Sequence, residues 1–292
     1  MKNYLYSLIL ELTATSTTSI PALRGDHTHA LFLDLVRQTD TDLASRLHDE
    51  PEYRPFTVSL LLGTMTRDGR YRIRAGQSYR LRITLLDGGS LWQRLSGHFL
   101  ESRDILLHLD NATFQLARVL STPTATGDGW ASYTDWQTLA GVPAQSNITL
   151  QFASPCAFSL GKRNFALFPD PAFVWDSLAR TWNRYAPEVV QMDRQEVRAF
   201  VTEKVVVSDY ELYTARVVFR EYAQKGFEGT CHYQVKADDG YAAQIATLAS
   251  FAGYAGIGSK TTMGMGQVRA IEVGTKPVER GVTNGSMREA PL

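Results

Sequence analysis

The stretch from Phe251 to Arg269, FAGYAGIGSKTTMGMGQVR, holds the residues whose types and spacing come closest to chemistry. Gly253, Gly256, Gly258, Gly264 and Gly266 frame Lys260, Thr261 and Thr262. Glycine has no Cβ, so such a run adopts left-handed backbone and lets another backbone approach closely. Its amide N–H groups can turn toward an anion, beside which Lys260 adds a point charge. The chemistry suggested is phosphate binding. Two familiar phosphate motifs do not apply. A Walker A loop needs Lys directly after its last glycine, with a strand before the loop and a helix after it. Here Ser259 separates Gly258 from Lys260, and the flanking patterns run from helix to strand. The dinucleotide pattern G-x-G-x-x-G fails at Thr261, which stands where the third glycine belongs. The plainer alternative is a tight, glycine-rich connection between a helix and a strand.

The elements that must position this loop are bounded first by composition. A chain of 292 residues is long for one core and sufficient for two domains. The formal net charge is zero, so any anion site must come from local clusters of Arg and Lys. Cys156 and Cys231 are the only cysteines, and no C-x-x-C or His/Cys spacing suggests a metal site or a cofactor. Two thiols in a chain of this length suit a reducing cytosol. The opening MKNYLYSLILELTATS resembles a signal peptide only superficially. Glu11 interrupts the apolar run, and Tyr4, Tyr6, Leu8, Leu10 and Leu12 alternate as a strand does. No apolar run reaches membrane-spanning length, so the expectation is a cytoplasmic protein with no membrane association.

After the first strand, TATSTTSIPALRGDHTH reads as a polar loop and ALFLDLVRQ as a helix on Leu31, Leu35 and Val36. Asp40 or Thr41 can cap a second helical stretch running to Leu47. RPFTVSLLLG reads as a strand, RDGRYRIRAG as a basic turn region, and SYRLRITLL as a half-buried strand with Arg80 and Arg82 alternating against Leu81, Ile83 and Leu85. GGSLWQRLSGHFLE reads as a helix, and DILLHL with ATFQLARVL as one or two closing strands. Residues 121–146 are turn-rich and read as a linker or crossing loop between a domain over 1–120 and a second over 147–274. In the second half ITLQFASPCAFSL is a strand and PAFVWDSLARTWNRYAP a helix started by Pro171. VRAFVTEKVVVSDYELYTARVVFREY is read as carrying a second strand and KGFEGTCHYQVK a third, before the helix and strand around the glycine loop. Residues 275–292 carry almost no apolar side chains and read as a flexible tail. The expected fold is α+β: two tandem ferredoxin-like, RRM-like βαββαβ domains with a C-terminal glycine-rich loop.

The glycine-rich FAGYAGIGSKTTMGMGQVR resembles the corresponding loop of the RAMP superfamily, specifically its CRISPR precursor-RNA-processing endoribonucleases. LASRLHDEPEYRPFTVSLLLG resembles the segment of that family in which a Leu-His-acidic triplet precedes a Phe-Thr-x-Ser strand, and SPCAFSLGKRNFALFPDPAFVWDSLARTWNRY resembles the opening of its second domain. The resemblance runs from Tyr4 to Val273. It implies cleavage of CRISPR repeat RNA without a metal, by attack of a ribose 2′-hydroxyl on the adjacent phosphate, leaving a 2′,3′-cyclic phosphate and a 5′-hydroxyl. Such chemistry needs a base, an acid and a cation beside the phosphorane.

The family's histidine maps to His48 and its lysine to Arg54, while Leu33 stands where a tyrosine is usual. Leucine moves no protons. His27 and His29, read as lying in the loop ahead of the first helix, are the candidates for a further acid or base. For each, a solvent-exposed bystander is the plainer alternative. His98, His108 and His232 are read as structural, and Trp175 and Trp182 as core.

RNA contacts are expected from Arg67, Arg70, Arg72, Arg74, Arg80 and Arg82, which crowd one hairpin, with Tyr71 and Tyr79 placed to stack on bases. Lys162 with Arg163 makes a second basic turn, and Gly256, Gly258, Lys260, Thr261, Gly264 and Gly266 supply the loop. The partner implied is CRISPR repeat RNA and not DNA, with a homodimer or a CRISPR effector complex left open. The competing readings are a non-catalytic RAMP subunit that holds crRNA in an effector complex and a ferredoxin-like module that binds no RNA. The missing tyrosine favours the first of these, and the arginine hairpin opposes the second.

Overall fold

The computed structural model describes residues 4–20, 24–50, 52–62, 71–87, 89–102, 104–127 and 129–271. The expected tail over 275–292 lies outside them. In β1 (Tyr4–Ala14) alternation sends Leu8, Leu10 and Leu12 to one face, where they join a buried core with helical side chains, while Leu5 joins the core of the second half. The chain continues through β2 (Thr18–Ile20), α1 (Gly25–Arg37), α2 (Thr41–Asp49), β3 (Phe56–Val58), β4 (Tyr71–Ile73), β5 (Ser78–Leu85), α3 (Leu91–Glu101), β6 (Leu106–Leu109) and β7 (Ala112–Leu120). The first sheet is antiparallel in the order β3-β5-β1-β7-β6, which is the split β-α-β arrangement with β6 added at the edge. β2 and β4 pair separately as a small ribbon.

The second half comprises α4 (Pro123–Thr126), β8 (Ser132–Asp135), α5 (Trp136–Ala140), β9 (Asn147–Cys156), β10 (Phe158–Gly161), β11 (Asn164–Ala166), α6 (Pro171–Tyr185), α7 (Arg194–Lys204), β12 (Val205–Val218), β13 (Ala223–Val235), α8 (Gly240–Ala255) and β14 (Val268–Ile271). Its sheet order, β12-β13-β9-β14, repeats the topology of the first. Each long helix of this half starts where an aspartate caps it. Asp170 accepts from Ala172 N, Asp193 from Gln195 N and Glu196 N, and Asp239 from Tyr241 N and Ala242 N. Trp136, Trp175, Trp182 and Phe251 are fully buried, with Trp136 and Trp182 edge-on at 5.1 Å.

Three readings change. Residues 121–146 carry ordered elements: β8 adds to β1 of the first sheet, and Trp136 directly after it enters the second core. VRAFVTEK, whose β-branched content reads as strand, is the helix α7, capped by Asp193, with Val197, Val201 and Val205 four apart and buried. The strand expected over 54–63 shortens to β3, because Ser59 then bridges to Gly264 and Leu62 to Arg80.

The two halves meet along a polar seam. α8 crosses β1, β3 and β5 on the face opposite the first core. Thr84 Oγ1 donates to Tyr254 O at 2.6 Å, and Arg82 reaches across to Gln267 Oε1 at 2.5 Å and to Gly253 O. Trp130 is held between two guanidinium groups, Arg82 at 4.8 Å and Arg269 at 4.5 Å from its ring centre. Among the described residues no helix is long and apolar enough to cross a membrane.

Candidate active site at the seam

α1 begins at Gly25, so His27 and His29 lie in its first turns and not in a preceding loop. The signal was present in the sequence: Asp26 suits a first turn, and Phe32, Leu35 and Val36 continue the apolar stripe. Gly25 is required because a Cβ there would overlap the Met263 carbonyl oxygen. This close approach seats the glycine loop on α1. Residues two apart on a helix point roughly 200° from each other, so His27 and His29 face different ways.

His29 is the one turned to the seam. It is 6 % exposed, stacks on Phe56 at 5.8 Å, and its Nδ1 lies 3.0 Å from Thr262 O. A carbonyl only accepts, so Nδ1 carries the proton and the neutral ring keeps its lone pair on Nε2. Burial lowers the His29 pKa; the bond to Thr262 opposes this, and the positive charges of Arg54 and His48 add to it. The charges of Arg54 and of His48 thus both reach His29. His27 is half-buried.

His48 is exposed in the last turn of α2, a helix capped by Asp40 through Leu43 N at 2.9 Å. From there an irregular connection leads to Arg54, which is half-buried with its Nε buried and without an acceptor among the described residues. The backbone of this connection is held from the other half. Arg54 N donates to Tyr185 Oη at 3.0 Å, and Arg184 Nη1 donates to Glu52 O at 3.3 Å. Sequence reasoning missed both residues, since nothing in a helix C-terminus predicts a partner 131 positions away. Leu33, at the position of the usual tyrosine, is 4 % exposed and belongs to the first core.

The glycine loop differs from an open anion cradle. The amides of Gly256, Ile257, Gly258 and Ser259 go to Ala252 O, Gly266 O, Ser177 Oγ and Ala157 O. Those of Met263, Gly264, Met265, Gly266 and Gln267 go to Lys260 O, Val58 O, Lys260 O, Pro155 O and Ser154 Oγ. These donors are used in joining β3, β9 and α8. Lys260 sits in left-handed backbone at φ 59°, and its ammonium lies 4.2 Å from the ring centres of both Phe219 and Tyr222, where desolvation lowers its pKa. Thr261 and Thr262 form the short turn that faces α1.

The arginine cluster divides. Arg67 and Arg70 lie outside the described residues. Arg72 and Arg74 are exposed on and beside β4. Arg80 pairs with Glu11 at 3.1 Å, and Arg118 shares that carboxylate, so the acid comes from the neighbouring strand. Arg82 is 5 % exposed and belongs to the seam, not to a surface for RNA. Tyr71 and Tyr79 are 8 % and 5 % exposed, Tyr79 edge-on to Phe114, so neither ring is offered to a base. Both faces of this sheet are covered, and alternation alone cannot reveal that. Lys162 and Arg163 form the exposed turn between β10 and β11, both left-handed at φ 49° and 63°. Just beyond it, Phe168 and Tyr210 are 39 % and 56 % exposed and edge-on at 5.4 Å.

His98 bonds Ser102 and Gln38, and His232 bonds Thr149 at 2.9 Å. Among the described residues no three His, Cys, Asp or Glu side chains are grouped to hold a metal ion.

Two family models match this chain. The Cas6 N-terminal domain covers residues 4–140, and the CRISPR-associated endoribonuclease Cas6 covers residues 150–268. Curated relatives named CRISPR-associated endoribonuclease Cas6 include one from Streptococcus thermophilus, 24 % identical over 130 residues, and one from Mycobacterium tuberculosis, 29 % identical over 133. Each match takes in 44 % of this chain; the chain spans about half the length of these relatives, 52 % and 40 %. A solved Thermus thermophilus Cas6 is similar over 93 % of this chain and 100 % of its own, with 26 % identity and a TM-score of 0.71. The product complex of that protein gives 0.77 over 92 % and 100 %. A Cas6-related protein from Pyrococcus furiosus, 13 % identical with a TM-score of 0.57 over 94 % and 100 %, shares the fold alone. Matched from Tyr4 almost to the end of the described residues, and built as two split β-α-β sheets joined by a glycine-rich loop, the chain belongs to the Cas6 family of CRISPR-associated endoribonucleases.

Proposed function

We propose that this protein cleaves CRISPR repeat RNA within the repeat, without a metal, by 2′-hydroxyl attack that yields a 2′,3′-cyclic phosphate and a 5′-hydroxyl. The observation that carries the reading is the exposed His48 at the end of α2, six positions ahead of a half-buried Arg54 whose Nε has no acceptor of its own among the described residues. An imidazole open to solvent can take the proton from the attacking hydroxyl or return one to the leaving oxygen. An arginine fork matches a phosphate and stabilises the charge that builds on the phosphorane. His29 is too enclosed to meet the substrate. It positions the site by fixing the glycine loop to α1. Leu33 offers no hydroxyl, so the second proton does not come from that position.

Repeat RNA is held by the exposed Arg72 and Arg74 and by the Lys162–Arg163 turn, where Phe168 and Tyr210 present rings for unpaired bases. The glycine loop acts as a support, with the amides of Gly256, Ile257, Gly258, Ser259, Met263, Gly264, Met265, Gly266 and Gln267 bonded within the protein. Similarity to a Thermus thermophilus Cas6 product complex supports an RNA partner. Leu33 keeps one rival in view, a subunit that holds crRNA without cutting it. The test is a labelled repeat RNA incubated with protein in EDTA, beside His48→Ala and a 2′-deoxy nucleotide at the cut site. Cleavage should persist in EDTA, stop on the deoxy substrate and fall by roughly 10²–10⁴-fold in His48→Ala. Binding without cleavage by the wild type would select the guide-holding reading.

A further inference from the structure

We infer that Tyr185, at the C-terminal end of α6 in the second half of the molecule, is a positioning residue for the reaction, acting through Arg54. The inference rests on the cleavage reading above and adds a residue to it.

The segment 52–55 ahead of β3 lies outside helix and strand, and it sets where Arg54 stands. Its ends are tied within the first half: Tyr53 N bonds Glu50 O at 3.0 Å, and Leu86 N bonds Pro55 O at 2.8 Å. Tyr53 Oη also donates to Asp87 at 2.8 Å, and Arg46 lies over the Tyr53 ring at 5.1 Å. The amide of Arg54 itself has its partner elsewhere, the Tyr185 hydroxyl at 3.0 Å. The bond is to the main chain of Arg54, so it fixes the backbone from which the guanidinium projects.

The end of α6 is a firm anchor. Trp182, one turn back, is fully buried, edge-on to Trp136 and Phe251, and donates to Val190 O at 2.8 Å. Asn183 closes a two-bond pair with Met192, donating to its carbonyl at 2.6 Å and accepting from its amide at 3.0 Å. Arg184 adds a second strut to Glu52 O. A rigid helix end thus fixes the backbone that bears the cation, in a reaction where displacing a group by about 1 Å lowers the rate on the order of 10²-fold.

The experiment is single-turnover cleavage of labelled repeat RNA by wild type, Tyr185→Phe, Arg54→Ala and the double variant, with affinity and thermal melting measured on each. Phenylalanine keeps the ring and removes the acceptor. Tyr185→Phe should lower the cleavage rate on the order of ten- to a hundred-fold with unchanged RNA affinity and a nearly unchanged melting temperature. In the Arg54→Ala background the same change should have no further effect, because the group it positions is gone. A Tyr185→Phe rate equal to wild type, or an equal loss in both backgrounds, overturns the inference while leaving the cleavage reading in place. Wild-type protein that binds the RNA and does not cut it overturns both.

Discussion

Replacing Arg82 by Met should destabilise the protein by about 3–5 kcal/mol, a loss typical of breaking a buried charged network. The guanidinium donates to Ser7 Oγ at 3.0 Å, to Gln267 Oε1 at 2.5 Å and to Gly253 O, and it stacks on Trp130. Hydrogen bonds to a charged group contribute about 1.5–3 kcal/mol each, so three taken separately suggest roughly 5–9 kcal/mol. They share one side chain and are not additive. Methionine also relieves the desolvation of a side chain only 5 % exposed and refills part of its volume. What is left behind is the Gly253 carbonyl and the Gln267 side chain at a buried seam, and that sets the size of the loss. Arg82→Lys keeps the charge without the fork and should lose roughly half as much. Arg72→Ala, on an exposed side chain, should stay within about 0.5 kcal/mol of wild type.

The assay is urea unfolding followed by far-UV signal and tryptophan emission together. Arg82 joins β5 to α8 and to Gln267 just ahead of β14, so its loss should also separate the two signals, one half unfolding before the other. An Arg82→Met protein within about 1 kcal/mol of wild type, with both signals still coincident, would refute the reasoning that this arginine fastens the halves together.

Gly266→Ala should destabilise by several kcal/mol, because φ is 66° and the new Cβ would overlap the Ile257 carbonyl oxygen; Gly76→Ala, at φ 75° in open space, should lose only about 1 kcal/mol by the same urea assay. The lowered pKa of His29 gives an acid-side dependence. Above the ordinary imidazole value of 6.5 both folded and unfolded states are neutral at this site and its full contribution is present. As pH falls below that value the unfolded state takes the proton first, so stability is lost down through the lowered folded value. His29→Gln should flatten this slope when unfolding free energies are compared between about pH 7.5 and pH 5. For Lys162 and Arg163, replacing both by Ala should weaken RNA binding uniformly across sequences. It should also reduce the slope of log affinity against log salt by about 0.7 for each phosphate that the turn neutralises; an unchanged slope would remove this turn from the binding surface.

The tandem fold was legible because alternation in β1 and β5 and the capped helical stripes are local signals, and the order of elements repeats. The site was legible in part. His48 and Arg54 lie close together in the chain, so their segment carried its own signature. What escaped depends on partners distant in sequence. Arg82 alternates with apolar residues as an exposed strand arginine would, and only α8 lying over that face converts it to a buried tie. Tyr79, on the opposite face of β5, is buried instead in the first core against Phe114. α7 escaped because β-branched residues outweighed their spacing of four. The glycine loop was found by composition, but composition does not show that many of its amides bond to acceptors in β3, β9, α6, α8 and the loop itself.

Those acceptors bear on how the family's two halves cooperate. Gly264 N bonds Val58 O, Thr262 O accepts from His29, and Tyr185 holds the Arg54 amide. Each bond crosses from the second half to an element of the first half beside the proposed chemistry. None of them places a residue of the second half among the reacting groups. In the proposed reaction the first half supplies the side chains, and the second supplies the frame that holds α1, β3 and the segment 52–55 in place. On this division, damage to the loop glycines or the seam should act on cleavage through geometry, with affinity at the exposed basic residues preserved. Damage to His48 should act on cleavage alone, in a protein that stays fully folded and fully bound.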